Sequence, residues 1–462
     1  MVELDENYSR WGRIMAFSNV TLTAELAALL GGAMGTTLNT KSVVMVGRDY
    51  RRDSRALKRS FTGGLMASGI EVIDLHAVPT SILQFSIRRF GADAGVMFTR
   101  SHNLAGMVSI KLFDSTGIEF EREKTNKVVQ LADSKEIRRV SSQEVGWISV
   151  ADAMTVYDRS LAGFFASSQY VISQAKLRVV VDCACGPASL IMPDLLNELG
   201  CEVITLNAHR PRNPAFLPNP ESLSRLGETV KATGSSLGIA LDAEGRHAII
   251  IDSQGRIRSS EETASVNLHS RYDPNPNASV VVGSTVHPSV YQGLDKNIVF
   301  VDHGEPGGIA RAALQHRAIY GFNDTGLYVL PVFSPGSDGF VAALTVLEQL
   351  AKEQADSTEL YRKHQIFAQR RAEVTFPAKN MLKFFRTILN NPPDQYYAID
   401  TFIGIKLIKK TKEWIHFFLA DQSETLQIEV FDPNSDIDNQ RDMITFSRDL
   451  VNEYLTELVN DK

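Results

Sequence analysis

The chain has 462 residues, 44% of them hydrophobic and 22% charged, with 48 basic against 54 acidic side chains and a net charge of −6. This balance excludes a disordered chain and argues against a surface built to bind nucleic acid or anionic lipid. The length predicts roughly three domains at about 150 residues each. The longest apolar stretch, Ala24 to Gly35, is interrupted by glycines and a glutamate and falls short of the roughly 20 residues of a membrane span. The acidic start MVELDENYSR lacks the basic-then-apolar layout of a signal peptide, and three cysteines are too few for a disulfide framework. A cytoplasmic protein is expected.

Strand and helix signals alternate along most of the chain. VVMVG (Val43 to Gly47) predicts a strand that ends at a polar turn, with a helix over Ala56 to Gly69 and a second strand at Glu71 to Leu75. A helix over Ser81 to Phe90 and a strand over Ala94 to Phe98 complete a β-α-β-α-β rhythm, the mark of a mostly parallel sheet covered by helices. The rhythm restarts at Leu177 to Asp182, with a helix at Ser189 to Leu199 and strands at Glu202 to Leu206 and Leu237 to Leu241. It restarts again at Ser279 to Gly283, followed by Asn297 to Asp302 and a long helix near Asp338 to Gln354. Three such units form a repeat of architecture rather than of identity. The last ~90 residues predict a small α+β unit: strands near Ile403 to Lys409, Trp414 to Leu419 and Thr425 to Phe431, then one helix from about Arg441 to Leu458.

Four segments carry residue types suited to chemistry. FTRSHN (Phe98 to Asn103) follows a predicted strand, where open α/β sheets bind ligands. There Arg100, His102 and Asn103 flank Ser101 and could orient it or neutralise a phosphoryl group; an ordinary polar turn is the alternative. In GIALDAEGRH (Gly238 to His247), Asp242 and Glu244 at i and i+2 could converge on one hard cation, or simply make a surface turn. Cys183 and Cys185 form a C-x-C pair with no matching Cys/His cluster, which reads as structural thiols. GEPGG (Gly304 to Gly308) is a glycine-rich turn before a helix, a weak anion-site signal.

Together these segments resemble the α-D-phosphohexomutases, the superfamily of phosphomannomutases, phosphoglucomutases and phosphoglucosamine mutases. VGRDYRRDS (Val46 to Ser54) is similar to the family's GRDxRxSS turn, and Val72 to Asn103 to the segment that ends in its TASHNP loop. The resemblance places the phosphate-carrying serine at Ser101, its neighbour at His102 and the acid/base lysine at Lys111 in IKLF (Ile110 to Phe113). VVVDCACGPAS and FLPNPE resemble the opening of the second domain, and Ser337 to Ala351 the end of the third. The implied fold is three tandem α/β domains plus a small C-terminal α+β domain around a central cleft, divided at 1–155, 156–258, 259–372 and 373–462. The implied activity exchanges phosphate between the 1- and 6-positions of a hexose, with Mg2+ held by Ser101, Asp242 and Glu244, and with a hexose 1,6-bisphosphate as activator.

The departures from the family pattern are concentrated in its loops. The metal loop DGDGDR reads Asp242-Ala243-Glu244-Gly245-Arg246-His247, so one ligand is lengthened and the third is reversed in sign. The sugar loop GGEXSGH aligns with Gly321 to Leu327, where Asn323 replaces glutamate, Thr325 serine and Leu327 histidine. A competing placement at GEPGG would retain Glu305. The phosphate loop RPSGTEP has no counterpart in FLADQSE (Phe418 to Glu424), which has two carboxylates and no arginine. Arg100 and Leu104 replace a small residue and a proline in the first loop, and Val108 and Ser109 stand where Asn-Gly is usual.

Three readings stay open at this level: a diverged protein with impaired catalysis and a binding or regulatory role, an active mutase of hexose 1- and 6-phosphates, and a changed chemistry on a smaller or non-phosphorylated ligand. The first expects poor binding of simple hexose phosphates. It also expects a Ser101 that still accepts phosphate against Arg100 and Lys111, and an Arg246 that replaces the metal ion. Expected partners are a sugar phosphate or related small ligand, or a protein, with no nucleic acid and no membrane; the sequence sets no oligomeric state.

Overall fold

The computed structural model describes residues 13–100, 107–209, 218–271, 275, 277–291, 294–301, 307–365, 370–400, 404–419, 425–434 and 436–460. They form four sheets in chain order. The first contains β1 (Ile14–Phe17), β2 (Val43–Arg48), β3 (Glu71–Ala77), β4 (Ala94–Arg100), β5 (Met107–Asp114) and β6 (Ile148–Val150), in the spatial order β1-β5-β4-β2-β3-β6. The second, in the order β10-β9-β7-β8, is built from β7 (Arg178–Asp182), β8 (Glu202–Leu206), β9 (Leu237–Leu241) and β10 (Ala248–Asp252). The third, in the order β12-β11-β13-β14, is built from β11 (Ser279–Gly283), β12 (Asn297–Val301), β13 (Tyr320–Phe322) and β14 (Tyr328–Val329).

These three sheets share one plan. Parallel central strands, Val/Ile-rich because helices cover both faces, end in one strand that turns back antiparallel: β4 into β5, β9 into β10, β13 into β14. The segments aligned with the phosphoserine, metal and sugar loops follow β4, β9 and β13 at those turns, whereas Cys183 and Cys185 follow β7. The fourth sheet is entirely antiparallel, β15 (Arg370–Thr375), β19 (Thr425–Phe431), β18 (Trp414–Leu419), β17 (Gly404–Lys409) and β16 (Tyr396–Asp400) in spatial order. One buried apolar cluster runs continuously from Met45 in the first sheet to Leu350 beyond the third, whereas the fourth sheet has its own core around Phe384, Phe417 and Val451.

Two expectations, for Ser189 to Leu199 and for the tail, are corrected. The Ala24 to Gly35 run, to which the sequence assigns no element, is a helix (Ala24–Thr37), capped by the Thr23 hydroxyl, which accepts from Leu26 N. Its glycines are contact points. A Cβ on Gly31 would stand 2.0 Å from the Phe61 carbonyl oxygen, and one on Gly64 equally close to that of Ala28, so two helix backbones meet where only glycine fits. The helix expected over Ser189 to Leu199 is a short 3-10 turn (Pro187–Leu190) and then a separate helix (Met192–Glu198), with Pro193 in its first turn, where a missing N–H breaks no helical bond. The tail holds two more strands, β15 and β16, and one more helix (Ala378–Asn390) than expected, and its last helix starts earlier, at Ile437. The expected division between 372 and 373 falls inside β15.

Candidate active site

The β4–β5 turn carries the first loop. Ser101, His102 and Asn103 lie outside the described residues, as does the side chain of Arg100, whose backbone ends β4. Lys111 lies on β5 opposite Met97 and is buried, at 1% exposure.

The β9–β10 turn carries Asp242, Glu244 and Arg246. Five paired residues on each strand close it, and Gly245 takes φ +65°, which favours glycine. Neighbours from two sides hold its backbone: Ser81 N donates to Glu244 O (3.2 Å), Gly339 N to Gly245 O (2.9 Å) and the Ser337 hydroxyl to Arg246 O (2.8 Å). Residue 339 must also be glycine, since a Cβ there would lie 2.6 Å from His247 O.

The side chains of this turn do not converge on one point. Asp242 turns back on its own loop, with Oδ1 accepting from Arg246 N (2.8 Å) and His247 N (3.2 Å) and Oδ2 paired with His247 Nδ1 (2.8 Å). Glu244 turns toward the first sheet. Its Oε2 pairs with Lys111 Nζ and accepts from the Thr80 hydroxyl (3.2 Å), and its Oε1 accepts from the Thr99 hydroxyl (3.2 Å). Arg246 Nη1 stands 3.9 Å from Glu244 but 2.9 Å from Glu119, a residue absent from the sequence-derived site. Glu119 is also held by Arg13 through two nitrogens, at 3.1 and 3.2 Å.

The result is a run of five charges, Lys111, Glu244, Arg246, Glu119 and Arg13, in which four side chains are at most 7% exposed and only Arg13, at 27%, reaches solvent. Burial alone would raise the Glu119 carboxyl. The flanking cations Arg13, Arg246 and Lys111 outweigh it and hold the group down at about 2. Lys111 is lowered to about 8, first by burial and then by Arg13 and Arg246, with Glu244 opposing.

The β13–β14 turn carries Asn323 and Thr325. Asn323 Oδ1 accepts from Thr325 N (3.2 Å), the Thr325 hydroxyl (2.9 Å) and Leu327 N (3.1 Å), so the residue aligned with the sugar-reading glutamate closes its own turn. Its neighbour Asp324 meets Lys406 from β17 at 2.8 Å; that ammonium also donates to Thr285 O (3.2 Å), lies 3.9 Å from Glu261 and sits 3.9 Å above the Trp414 ring. Burial, then Asp324 and Glu429, push Glu261 up to about 7 against the pull of Lys406 and the His287 amide. Glu305, on the competing placement, and residues 420–424 of the β18–β19 turn lie outside the described residues. Cys183 and Cys185 are buried and free, burial raises both thiols, and the described residues hold no group of three or more His, Cys, Asp or Glu placed for a metal ion.

Arg13, Glu119, Glu261 and Lys406 were missed because their partners come from distant parts of the chain. Arg13 and Glu119 are 106 positions apart and leave no local motif.

Comparison with known proteins follows the same division. Residues 12–139 match the family model for phosphoglucomutase/phosphomannomutase α/β/α domain I, and residues 157–255 that for domain II. A phosphoglucomutase/phosphomannomutase of Thermococcus kodakarensis is 30% identical over 358 residues, which cover 75% of this chain and 78% of that protein. The chain belongs to the α-D-phosphohexomutase superfamily. A phosphoglucosamine/phosphogalactosamine mutase of Sulfurisphaera tokodaii is 29% identical over 420 residues, covering 88% of this chain and 90% of that one. The structure of a phosphoglucomutase/phosphomannomutase family protein from Burkholderia thailandensis superposes with a TM-score of 0.69 at 18% identity over 97% of both chains, which establishes the shared fold. No helix among the described residues is long and apolar enough to cross a membrane.

Tested against the magnesium that the superfamily resemblance implies, this loop does not fit. Mg2+ needs near-octahedral oxygen ligands. Here Glu244 is engaged by an ammonium and two hydroxyls, Asp242 faces His247 and two amides, and a guanidinium stands at the third position. Of the three expected ligands, Ser101 lies outside the described residues, and Asp242 and Glu244 point to different partners.

Proposed function

We propose that this chain is a superfamily member whose phosphotransfer is impaired and whose scaffold serves a binding or regulatory role in the cytoplasm. Its ligand is a sugar phosphate or related small molecule, or a protein. The observation that supports this reading is the state of Glu244, buried and paired with Lys111. That one contact engages both a metal-loop carboxylate and the lysine aligned with the acid/base group. Phosphoryl transfer depends on positioned charge to stabilise its transition state, and here two of those charges neutralise each other. The remodelled sugar turn points the same way, since Asn323 holds its own loop and Asp324 holds Lys406. Three free, buried cysteines suit a reducing compartment.

The alternative, an active hexose-phosphate mutase, draws on the relatives' printed names and on Lys111, which is retained and lies on β5 beside the first loop. The test incubates pure protein with glucose, mannose and glucosamine phosphates, a hexose 1,6-bisphosphate and Mg2+. No interconversion above background is expected. Turnover at the rate of a parallel authentic mutase would establish the alternative.

A further inference from the structure

The five-charge run also joins two sheets. Arg13 precedes β1, Lys111 lies on β5, and Glu119 follows β5 in the first unit, while Glu244 and Arg246 belong to the β9–β10 turn of the second. The run has three cations and two anions, and with the buried Asp242 of the same turn the described groups sum to zero formal charge in a nearly solvent-free junction. A divalent cation added there would bring the total to two positive charges at low dielectric, where repulsion is weakly screened. It would also have to displace Lys111 from Glu244 and leave that ammonium buried without a carboxylate. The sequence points to Arg246 as the replacement cation. In the structure Lys111 takes Glu244, and Arg246 turns to Glu119.

We infer that Lys111 on Glu244, with Arg246 and Arg13 on Glu119, supplies the bridging charge between the first two sheets, so that this junction assembles without a divalent metal. The inference rests on the reading of the β9–β10 turn given under the proposed function, but it concerns metal dependence rather than turnover. Its substitute cations are covalently fixed, so the bridge cannot be stripped by a chelator.

The test uses the full chain, freed of metal by EDTA and dialysis. Tm is followed against MgCl2 at constant ionic strength, and bound magnesium is counted by elemental analysis. A site filled at about 100 times its Kd would raise Tm by roughly 3 °C. The unmodified protein is expected to show no saturable rise and far less than one equivalent of magnesium. Arg246→Asp, which removes a cation and restores a carboxylate, is expected to gain a saturable rise; Lys111→Met, which frees Glu244, should gain a smaller one. A saturable rise with one equivalent of magnesium in the unmodified protein overturns the inference, as does an Arg246→Asp protein that folds, by its circular dichroism, yet responds to magnesium no more than its parent. The two proposals fail separately. Turnover that survives EDTA defeats the proposed function and leaves this inference standing, while tight magnesium binding without turnover does the reverse.

Discussion

Two buried charge clusters join the sheets of this molecule, and they are balanced in opposite directions. Between the first and second sheets, three cations face two carboxylates, and Glu119 is held at about 2. Between the third and fourth, Lys406 faces Asp324 and Glu261, and Glu261 is pushed up to about 7. Burial is similar in the two places. The number of cations decides whether a buried carboxylate keeps its charge near neutral pH. At the first junction Glu119 therefore keeps its charge and the proton that titrates above neutral pH belongs to Lys111, at about 8, whereas at the second the carboxyl of Glu261 itself takes up and loses a proton.

The largest expected effect breaks the first cluster at its centre. Glu119→Gln leaves Arg13 and Arg246 without the carboxylate they share, and losing one partner of a buried ion pair costs about 3–5 kcal/mol. Guanidinium unfolding should show that loss near pH 7. A cost below about 1 kcal/mol, the range of exposed pairs, would show that solvent screens this cluster. Lys406→Met should cost less, because Glu261 can take up a proton where Glu119 cannot. Its cost should shrink as pH falls from 8 to 6 and Glu261 takes up its proton. A Lys406→Met penalty that stays constant over that range would remove the contrast between the clusters.

The pH profile of the unmodified protein sharpens the same comparison. Glu261 has a folded value of about 7 against an ordinary 4.5, so the folded state binds its proton more tightly than the unfolded chain. The stability from this group is complete below pH 4.5 and is lost as pH rises through 7. Glu119 has the opposite sign: its contribution is present above pH 4.5 and is lost as pH falls toward 2. Glu261→Gln should therefore flatten the fall in Tm between pH 5 and 8 and leave the acid limb intact. An unchanged slope between pH 5 and 8 in that variant would mean that another group titrates there.

How much of this could be read beforehand follows from where each interaction's information lies. Runs such as VVMVG and LGIAL mark buried parallel strands by composition alone, and the candidate loops of the first three units sit at the strand ends where the sequence puts them. The helix over Ala378–Asn390 went unread, although Met381, Phe384, Phe385 and Ile388 recur at helical spacing. The clusters were not legible. In GIKLIK, alternation assigns Lys406 to a solvent face, and only the third sheet packed against that face turns it into a buried cation. Arg246 was legible as a cation in place of a metal ligand, but its partner was not, because Glu119 follows a different strand in a different unit. A pattern within one strand cannot encode what lies across a junction.

The smallest expected effect concerns the turn that meets the second cluster. Asn323 aligns with a sugar-reading glutamate, but its Oδ1 accepts from Thr325 N, the Thr325 hydroxyl and Leu327 N, and so fixes the loop that presents Asp324 to Lys406. Asn323→Ala deletes these bonds but leaves their donors in a partly buried turn where water can replace some of them. The loss should be about 1 kcal/mol, well below that of either charge cluster. Because the loop that presents Asp324 to Lys406 loosens in this variant, the pH dependence assigned to Glu261 should weaken together with stability. If Asn323→Ala instead abolished binding of a sugar phosphate at unchanged Tm, Asn323 would be a ligand contact and not a turn cap. Measuring both quantities on the one variant decides between the two roles, since a turn cap moves Tm first and a ligand contact moves only affinity.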